Sequence, residues 1–307
     1  MLASVTVRAP AKVNLALAVG PRRDDGYHDL ATVFHAVSLY DDLVATPLAP
    51  GSGTQIVVEG EQSEEVPVDG SNLAAKAVEA MLELGGSADV SLTIRKGIPV
   101  SGGMAGGSAD AAGALVAIDA LYELGMTRDE LYEVGATLGS DVPFSLHGGT
   151  AIGTGTGTEL TTAMVRGTYH WVIVLAEGGL STPAVYREFD RLREGLVVAD
   201  PEVPDDLMAA LRQGDPHALG KALHNDLQPA AMSLRPHLAH VLSVGHEYGA
   251  LGGLISGSGP TCAFLARDDE HALDLAVAFT ASGVCRTVRR AHGPVQGARV
   301  VDQRDVA

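Results

Sequence analysis

An α+β fold in two domains is predicted by three observations. Strand-like and helix-like segments are mixed without a strict βαβ rhythm, a glycine-rich loop at 99–108 opens into a long apolar helix, and 307 residues suffice for one large domain or two of ordinary size. The low-complexity stretch Gly153–Thr158 is the expected boundary, giving domains at 1–155 and 156–307.

The first 60 residues read as β. Ser4–Arg8 is short and β-branched, and Val13, Leu15, Leu17 and Val19 alternate with Lys12, Asn14, Ala16 and Ala18. Ala31–Tyr40, Asp42–Thr46 and Gln55–Val58 continue the pattern between turn residues. Ser71 or Asn72 caps a helix to about Leu84, stopped by Gly85-Gly86, and Val90–Arg95 is a strand. After the glycine-rich loop come helices over Ala109–Leu124 and, capped by Thr127, to about Leu138. In the second half Trp171–Ala176, Gly253–Ser256, Thr261–Ala266 and Val284–Arg289 read as strands. Pro183–Arg193, Asp205–Arg212, Arg235–Tyr248 and Ala272–Ala281 read as helices.

Composition narrows the function. A 46% apolar fraction excludes general disorder. The net charge of −17 repels nucleic acid and anionic lipid, so neither is an expected partner. An anionic substrate then needs a local device: backbone amides, a helix N-terminus or one well-placed lysine. Cys262 and Cys285 form no CxxC pair, which argues against a zinc ribbon and fits a reducing cytoplasm. Arg8, Pro10, Lys12 and Asn14 interrupt the first apolar stretch, so no signal peptide is expected. No run of 18 apolar residues suggests a membrane span.

The loop Pro99-Val-Ser-Gly-Gly-Met-Ala-Gly-Gly-Ser108 carries the most chemistry. Gly102, Gly103, Gly106 and Gly107 lack the Cβ atoms that keep a ligand off the backbone, and the next helix offers free N–H groups and its positive dipole end. Such a loop can bind a polyphosphate without Lys or Arg; a plain strand-to-helix turn is the alternative. No Gly-Lys-Ser/Thr follows, and the spacing is not GxGxxG, so neither a Walker A loop nor a Rossmann fold is indicated. Ser108 either caps the helix or turns its hydroxyl to a phosphate or Mg²⁺.

Lys12 is one of four lysines and stands in an otherwise apolar strand. It needs an anionic partner or a solvated edge, and period two puts Asn14 beside it as a second donor. Asp141, in Gly139-Ser-Asp-Val-Pro-Phe144, reads as a helix N-cap or as a base partnered with Lys12. Asp25-Gly-Tyr-His28 is a turn whose Tyr27 and His28 either stack on and hydrogen-bond a flat base or are ordinary surface turn residues. Gly257-Ser-Gly-Pro260 is a hairpin or a second ligand-covering loop. His237, His240 and His246 lack a metal-site pattern and read as a solvated helix face.

Pro10-Ala-Lys-Val-Asn-Leu15, Pro99–Ser108 and Leu254-Ile-Ser-Gly-Ser-Gly-Pro-Thr261, in that order, resemble the GHMP kinase superfamily. The resemblance spans nearly the whole chain and implies a two-domain fold with a cleft between the domains. It implies an ATP-dependent kinase with Mg²⁺ carried by the nucleotide. Asp24-Asp-Gly-Tyr-His28 and Gly139–Phe144 are similar to those members that phosphorylate the 2-hydroxyl of a cytidine-diphosphate-linked methylerythritol in isoprenoid precursor synthesis. On this resemblance Lys12 and Asp141 are catalytic, and Pro99, Val100, Ser101, Gly102, Gly103, Met104, Ala105, Gly106, Gly107 and Ser108 bind ATP. Asn14, Tyr27, His28, Thr182 and Tyr186 line the substrate side, no metal is held by side chains alone except through Ser108, and the enzyme is a cytoplasmic monomer or homodimer. A homoserine or mevalonate specificity, or a non-catalytic nucleotide-binding module, are the alternatives. Two departures stand out: Ala109 replaces a second serine, and the Gly153–Thr158 repeat replaces a Gly-x-Gly-Glu turn and is given no role.

Overall fold

The computed structural model describes residues 4–100, 102–176 and 178–302. Two long strands open the chain, β1 (Val5–Arg22) and β2 (His28–Pro47). The sequence breaks each into shorter pieces; the sheet instead carries β1 through Pro10 by shifting register at Pro10/Ala11 and again at Asn14/Ala16. Such bulges bend a strand and re-aim its side chains, and here they bracket Lys12. There follow β3 (Gln55–Gly60), α1 (Leu73–Leu82), β4 (Val90–Lys96), α2 (Gly106–Tyr122), α3 (Arg128–Leu138), α4 (Val142–His147), β5 (Thr150–Thr154) and β6 (Glu159–Thr162). Local chemistry sets the helix starts: Asn72 Oδ1 accepts the Ala74 N–H at 2.8 Å, and Thr127 with Glu130 forms a capping box ahead of α3.

The second half runs β7 (Tyr169–Leu175), α5 (Thr182–Leu192), α6 (Asp205–Gln213), α7 (Pro216–Ala222), β8 (His224–Asn225), α8 (Gln228–Leu234), α9 (His237–Glu247), β9 (Gly252–Ile255), β10 (Thr261–Ala266), α10 (Asp269–Ser282), β11 (Thr287–Gly293) and β12 (Arg299–Val300). Among the described residues two sheets form. One has eight strands, in the order β12-β1-β2-β4-β3, with the β5–β6 hairpin on β2 and β8 parallel to β1. The other is a four-stranded antiparallel sheet, β11-β7-β10-β9.

The Gly153–Thr158 stretch is not a free loop. It ends β5 and forms the turn into β6, which stays in the first sheet, and the second sheet starts only at β7.

Two large cores form, the first also taking in Trp171, Ile173 and Leu265 of the second sheet. The first gathers Val7, Val13, Leu15, Leu43, Leu92 and Ile94 against the alanine-rich α2. That helix can lie almost on the strands because Gly113 has no Cβ: one there would sit 2.5 Å from Leu43 Cδ1. The second core packs Val172, Val174, Ile255 and Phe264 under Phe189, Val241, Leu275 and Phe279 of α5, α9 and α10. The result is α+β, with β8 and β12 returning from the second half to the first sheet.

Candidate active site

Where the two halves meet, a cleft of about 340 Å³ is lined by β1, β2, the glycine-rich loop, the start of α4, α5 and the β9–β10 turn. Lys12 reaches it from β1 and is 6% exposed, so the solvated-edge alternative fails. Its Nζ donates to Asn14 Oδ1 at 2.6 Å and lies 3.5 Å from Asp141 Oδ2 and 5.4 Å from the centre of the Phe34 ring. A buried ammonium is tolerated only with such partners. Asn14 does not act as a second donor to the cleft, as period two suggests. Its oxygen faces Lys12 and its amide donates to Thr32 Oγ1 at 2.8 Å, while Thr32 Oγ1 donates to the Ala16 carbonyl at 2.7 Å. Asn14 therefore holds the lysine.

Asp141 occupies the N-cap position of α4, yet its side chain caps no backbone N–H. Its backbone lies in the αR region (φ −89°, ψ −9°) rather than the extended conformation in which a side chain folds back onto the first turn. The carboxylate is left for the cleft and for Lys12.

Gly102 to Gly107 line the same cleft. Helix α2 begins at Gly106, three residues earlier than its hydrophobic pattern suggests, so Ser108 is inside the first turn and is not the cap; Ala105 takes that position with φ +61°. The first-turn N–H groups have no intrahelical acceptors and carry the positive end of the dipole. The loop is anchored from both sides. Lys12 N–H donates to the Met104 carbonyl at 3.2 Å, and Ser256 Oγ donates to the Gly103 carbonyl at 3.2 Å. Pro99 instead lines a neighbouring cavity of about 290 Å³ with Gly60, Glu61, Gln62, Arg286, Thr287 and Arg289, and Val100 N–H donates to Gln62 Oε1 at 3.4 Å. Ser101 lies outside the described residues.

The cleft opens into a larger pocket of about 860 Å³ lined by Tyr27, His28, Thr182, Tyr186 and Asp190. Leu30, Ser140, Thr156, Thr182 and Tyr186 border both. Tyr27 is 67% exposed at the rim, whereas His28 is buried, with its ring 5.3 Å from that of Tyr186. Burial, with Asp141 nearby, pushes the Tyr186 phenol up to about 12, so it stays a neutral, flat wall. Thr182 Oγ1 lies 2.8 Å from Ser258 Oγ, which joins α5 to the β9–β10 turn; Gly257 and Ser258 line the cleft, so that turn is the second covering loop.

Sequence reasoning missed Thr32, Phe34, Asn225 and Asp190. Leu30, Thr32 and Phe34 share one face of β2 by period two, and Asp190 lies one helical turn from Tyr186; both signals were available. Asn225, whose amide donates to the carbonyls of Ile255 and Gly257 at 2.7 and 2.8 Å, carried no local signal. His237, His240 and His246 are exposed on α9, and among the described residues no three His, Cys, Asp or Glu side chains group as a metal site.

Two family models match the chain, GHMP kinases N terminal domain over residues 72–149 and GHMP kinases C terminal over residues 207–285. The 4-diphosphocytidyl-2-C-methyl-D-erythritol kinase of Streptomyces coelicolor is 57% identical, the alignment covering 97% of this chain and all of that protein. The enzyme of that name from Mycobacterium tuberculosis is 54% identical over 97% of this chain and 93% of its own length. The chain belongs to the GHMP kinases. A crystal structure of 4-(cytidine 5'-diphospho)-2C-methyl-D-erythritol kinase superposes with a TM-score of 0.76 at 33% identity, over 94% of this chain and 98% of that one. A homoserine kinase from Cytophaga hutchinsonii shares the fold at TM-score 0.74 and 21% identity, over 98% of both chains. As a GHMP kinase the protein is an ATP-using phosphotransferase. Its glycine-rich loop and Asp141 fall inside the first matched segment, while Lys12, Asn14, Tyr27 and His28 precede it.

Proposed function

We infer that this GHMP kinase transfers the γ-phosphoryl group of ATP to the 2-hydroxyl of 4-diphosphocytidyl-2-C-methyl-D-erythritol, giving the 2-phosphate and ADP, a step of non-mevalonate isoprenoid precursor synthesis. One observation carries the residue roles: the Lys12–Asp141 pair sits 3.5 Å apart in a cleft that joins the glycine-rich loop to a pocket walled by Tyr27, His28 and Tyr186. Phosphoryl transfer asks for positioning and charge stabilisation more than for covalent chemistry. The amides at the start of α2 cradle the triphosphate. Asp141 accepts the proton of the 2-hydroxyl as the hydroxyl oxygen bonds to the γ-phosphorus, while the bond from that phosphorus to the β–γ bridging oxygen breaks and ADP leaves. Lys12, held by Asn14, offsets the charge that grows on the transferred group. Thr182 and Tyr186 orient the diphosphocytidyl end, with Tyr27 and His28 on the base.

Mg²⁺ would accompany the ATP and neutralise its phosphates. This hard cation commonly keeps only one or two protein oxygens beside the substrate phosphates. The Ser108 hydroxyl, in the first turn of α2, would be one such oxygen, leaving Asp141 to take the proton. The chain works as two lobes, assigned to residues 1–155 and 156–307, with three strands of the second part lying in the first sheet. No helix among the described residues is long and apolar enough to cross a membrane, and both cysteines are free thiols. On this reading the enzyme is cytoplasmic, monomeric or homodimeric, and acts on a small molecule rather than a nucleic acid.

The test is ADP formation from ATP and 4-diphosphocytidyl-2-C-methyl-D-erythritol. Asp141→Asn should turn over about 10²–10⁴-fold more slowly, the usual scale of a general base, while still binding nucleotide. Equal turnover by the two proteins would remove Asp141 from the chemistry.

A further inference from the structure

His28 and Asp190 come from opposite halves of the chain and meet inside the larger pocket: His28 Nε2 lies 2.8 Å from Asp190 Oδ1. The imidazole opens β2, and its side chain is 4% exposed. Phe189 meets it edge-on, with ring centres 5.8 Å apart at 85°, and Tyr186 lies tilted beside it. Packed on two sides and tethered at one nitrogen, the ring has a fixed orientation. A carboxylate only accepts hydrogen bonds, so the nitrogen facing Asp190 carries the hydrogen. In a neutral imidazole the other nitrogen, Nδ1, is then an acceptor, and it has no protein partner among the described residues.

That assignment has a consequence for base choice. Cytosine presents an amino donor at C4 and a bare acceptor at N3. Uracil presents the reverse, a carbonyl oxygen at C4 and an N–H at N3. An acceptor at Nδ1 can take the cytosine amine, whereas against uracil it meets the lone pairs of O4. We propose that Asp190 is a positioning residue that locks the His28 tautomer and thereby makes the pocket select cytosine over uracil. The proposal rests on the substrate reading given above, and it adds the atom that tells two otherwise similar nucleotides apart. A site built to pair with a polar group rejects the analogue that leaves it unpaired far more strongly than shape alone does.

Calorimetric titration with CDP and with UDP tests it. The wild type should bind CDP at least about tenfold more tightly, tenfold being 1.4 kcal/mol. In Asp190→Asn the amide can turn its NH₂ to Nε2 and so move the ring hydrogen to Nδ1. The CDP:UDP ratio should then fall to within about threefold or invert, and the KM for the cytidine substrate should rise by more than kcat falls. Asp190→Glu, which keeps the carboxylate, should retain part of the preference. Nitrogen-15 spectra of the imidazoles above neutral pH, assigned by difference against His28→Gln, should show the His28 hydrogen on Nε2 in the wild type and displaced in Asp190→Asn. An unchanged CDP:UDP ratio in a folded Asp190→Asn protein, or a wild-type hydrogen on Nδ1, overturns the proposal. A wild type that binds neither nucleotide overturns the substrate reading and the proposal with it, and the two failures are told apart by whether CDP binds at all.

Discussion

Lys12 has two neighbours that define what it can do: a neutral oxygen of Asn14 at 2.6 Å and a carboxylate of Asp141 at 3.5 Å. Both geometries suit a compact ammonium on a flexible stem. A guanidinium is planar and broader, and cannot occupy the same buried point against Phe34. Lys12→Arg should therefore fail to preserve activity, with kcat/KM lower by about 10²-fold or more, as should Lys12→Ala. Steady-state assays of the two variants check this; near-normal activity in Lys12→Arg would show that charge alone suffices. The pairing of Lys12 with Asp141 was legible only in part: an isolated lysine in an apolar strand asks for an anion or a solvated edge, and the resemblance to the GHMP kinases singled out Asp141. The role of Asn14 was not, because period two gives the face a side chain shares but not which end of an amide it presents. Asp141 was ambiguous for a related reason: the N-cap position can be read from sequence, whereas whether the carboxylate caps depends on a backbone torsion.

The phosphate loop is an element that works only while its two ends are pinned. On one side Gly103, at φ +73°, lies against the β9–β10 turn so closely that a Cβ would sit 2.4 Å from the Ser256 carbonyl oxygen. Gly103→Ala should separate the two loops, destabilise the fold and weaken ATP binding at least about tenfold, since it combines a disfavoured φ with a backbone clash; thermal unfolding and nucleotide titration read the two effects. Beneath the loop, Lys96 Nζ bridges Asp41 at 2.5 Å and Asp110 of α2 at 2.8 Å, all three side chains buried. Asp41 also accepts the N–H groups of Gly97 and Ile98 at 2.8 and 2.9 Å. Burial and the neighbouring Asp41 raise the Asp110 carboxyl well above its ordinary value against the pull of Lys96. Lys96→Met would leave two buried carboxyls without their cation and should cost about 3–5 kcal/mol in urea unfolding, the range for breaking one side of a buried pair. Helices with strong capping residues, α1 and α3, were legible almost to the residue. The start of α2 was not, because glycines and an αL alanine begin it where propensity would place a loop. The β5–β6 hairpin was hidden because its Gly-Thr repeat gives a turn signal without a strand signal.

At the scale of the molecule, the two sheets need a junction, and His35 is part of it. It comes from β2, its Nδ1 is 2.8 Å from Thr150 Oγ1 of β5, and its ring meets Tyr169 and Trp171 of β7 across the boundary, each 6.0 Å between ring centres. A Cβ on Gly293 of β11 would stand 2.5 Å from its Nε2, so the second sheet closes directly over the ring. Among the described residues no charged side chain pairs with it. The fold-class expectation of mixed α and β followed from local periodicity, but this seam joins residues more than a hundred positions apart, and no local pattern announces it. Burial drives the imidazole from its ordinary 6.5 down to about 3, with the Gly293 backbone opposing weakly. The unfolded chain therefore takes up this proton more readily than the native one. The stabilisation is complete above about pH 6.5 and declines as pH falls from there toward 3, by about 1.4 kcal/mol per pH unit once the unfolded imidazole is protonated. Urea unfolding of wild type and His35→Gln at pH 7.5, 6 and 5 isolates the term, because few carboxylates titrate in that range and the other histidines are common to both proteins. The wild type should lose on the order of 1–2 kcal/mol more than His35→Gln between pH 7.5 and 5. Parallel curves would mean that the seam opens enough to admit the proton without unfolding, and that the two sheets are joined less tightly at β2 than the buried ring implies.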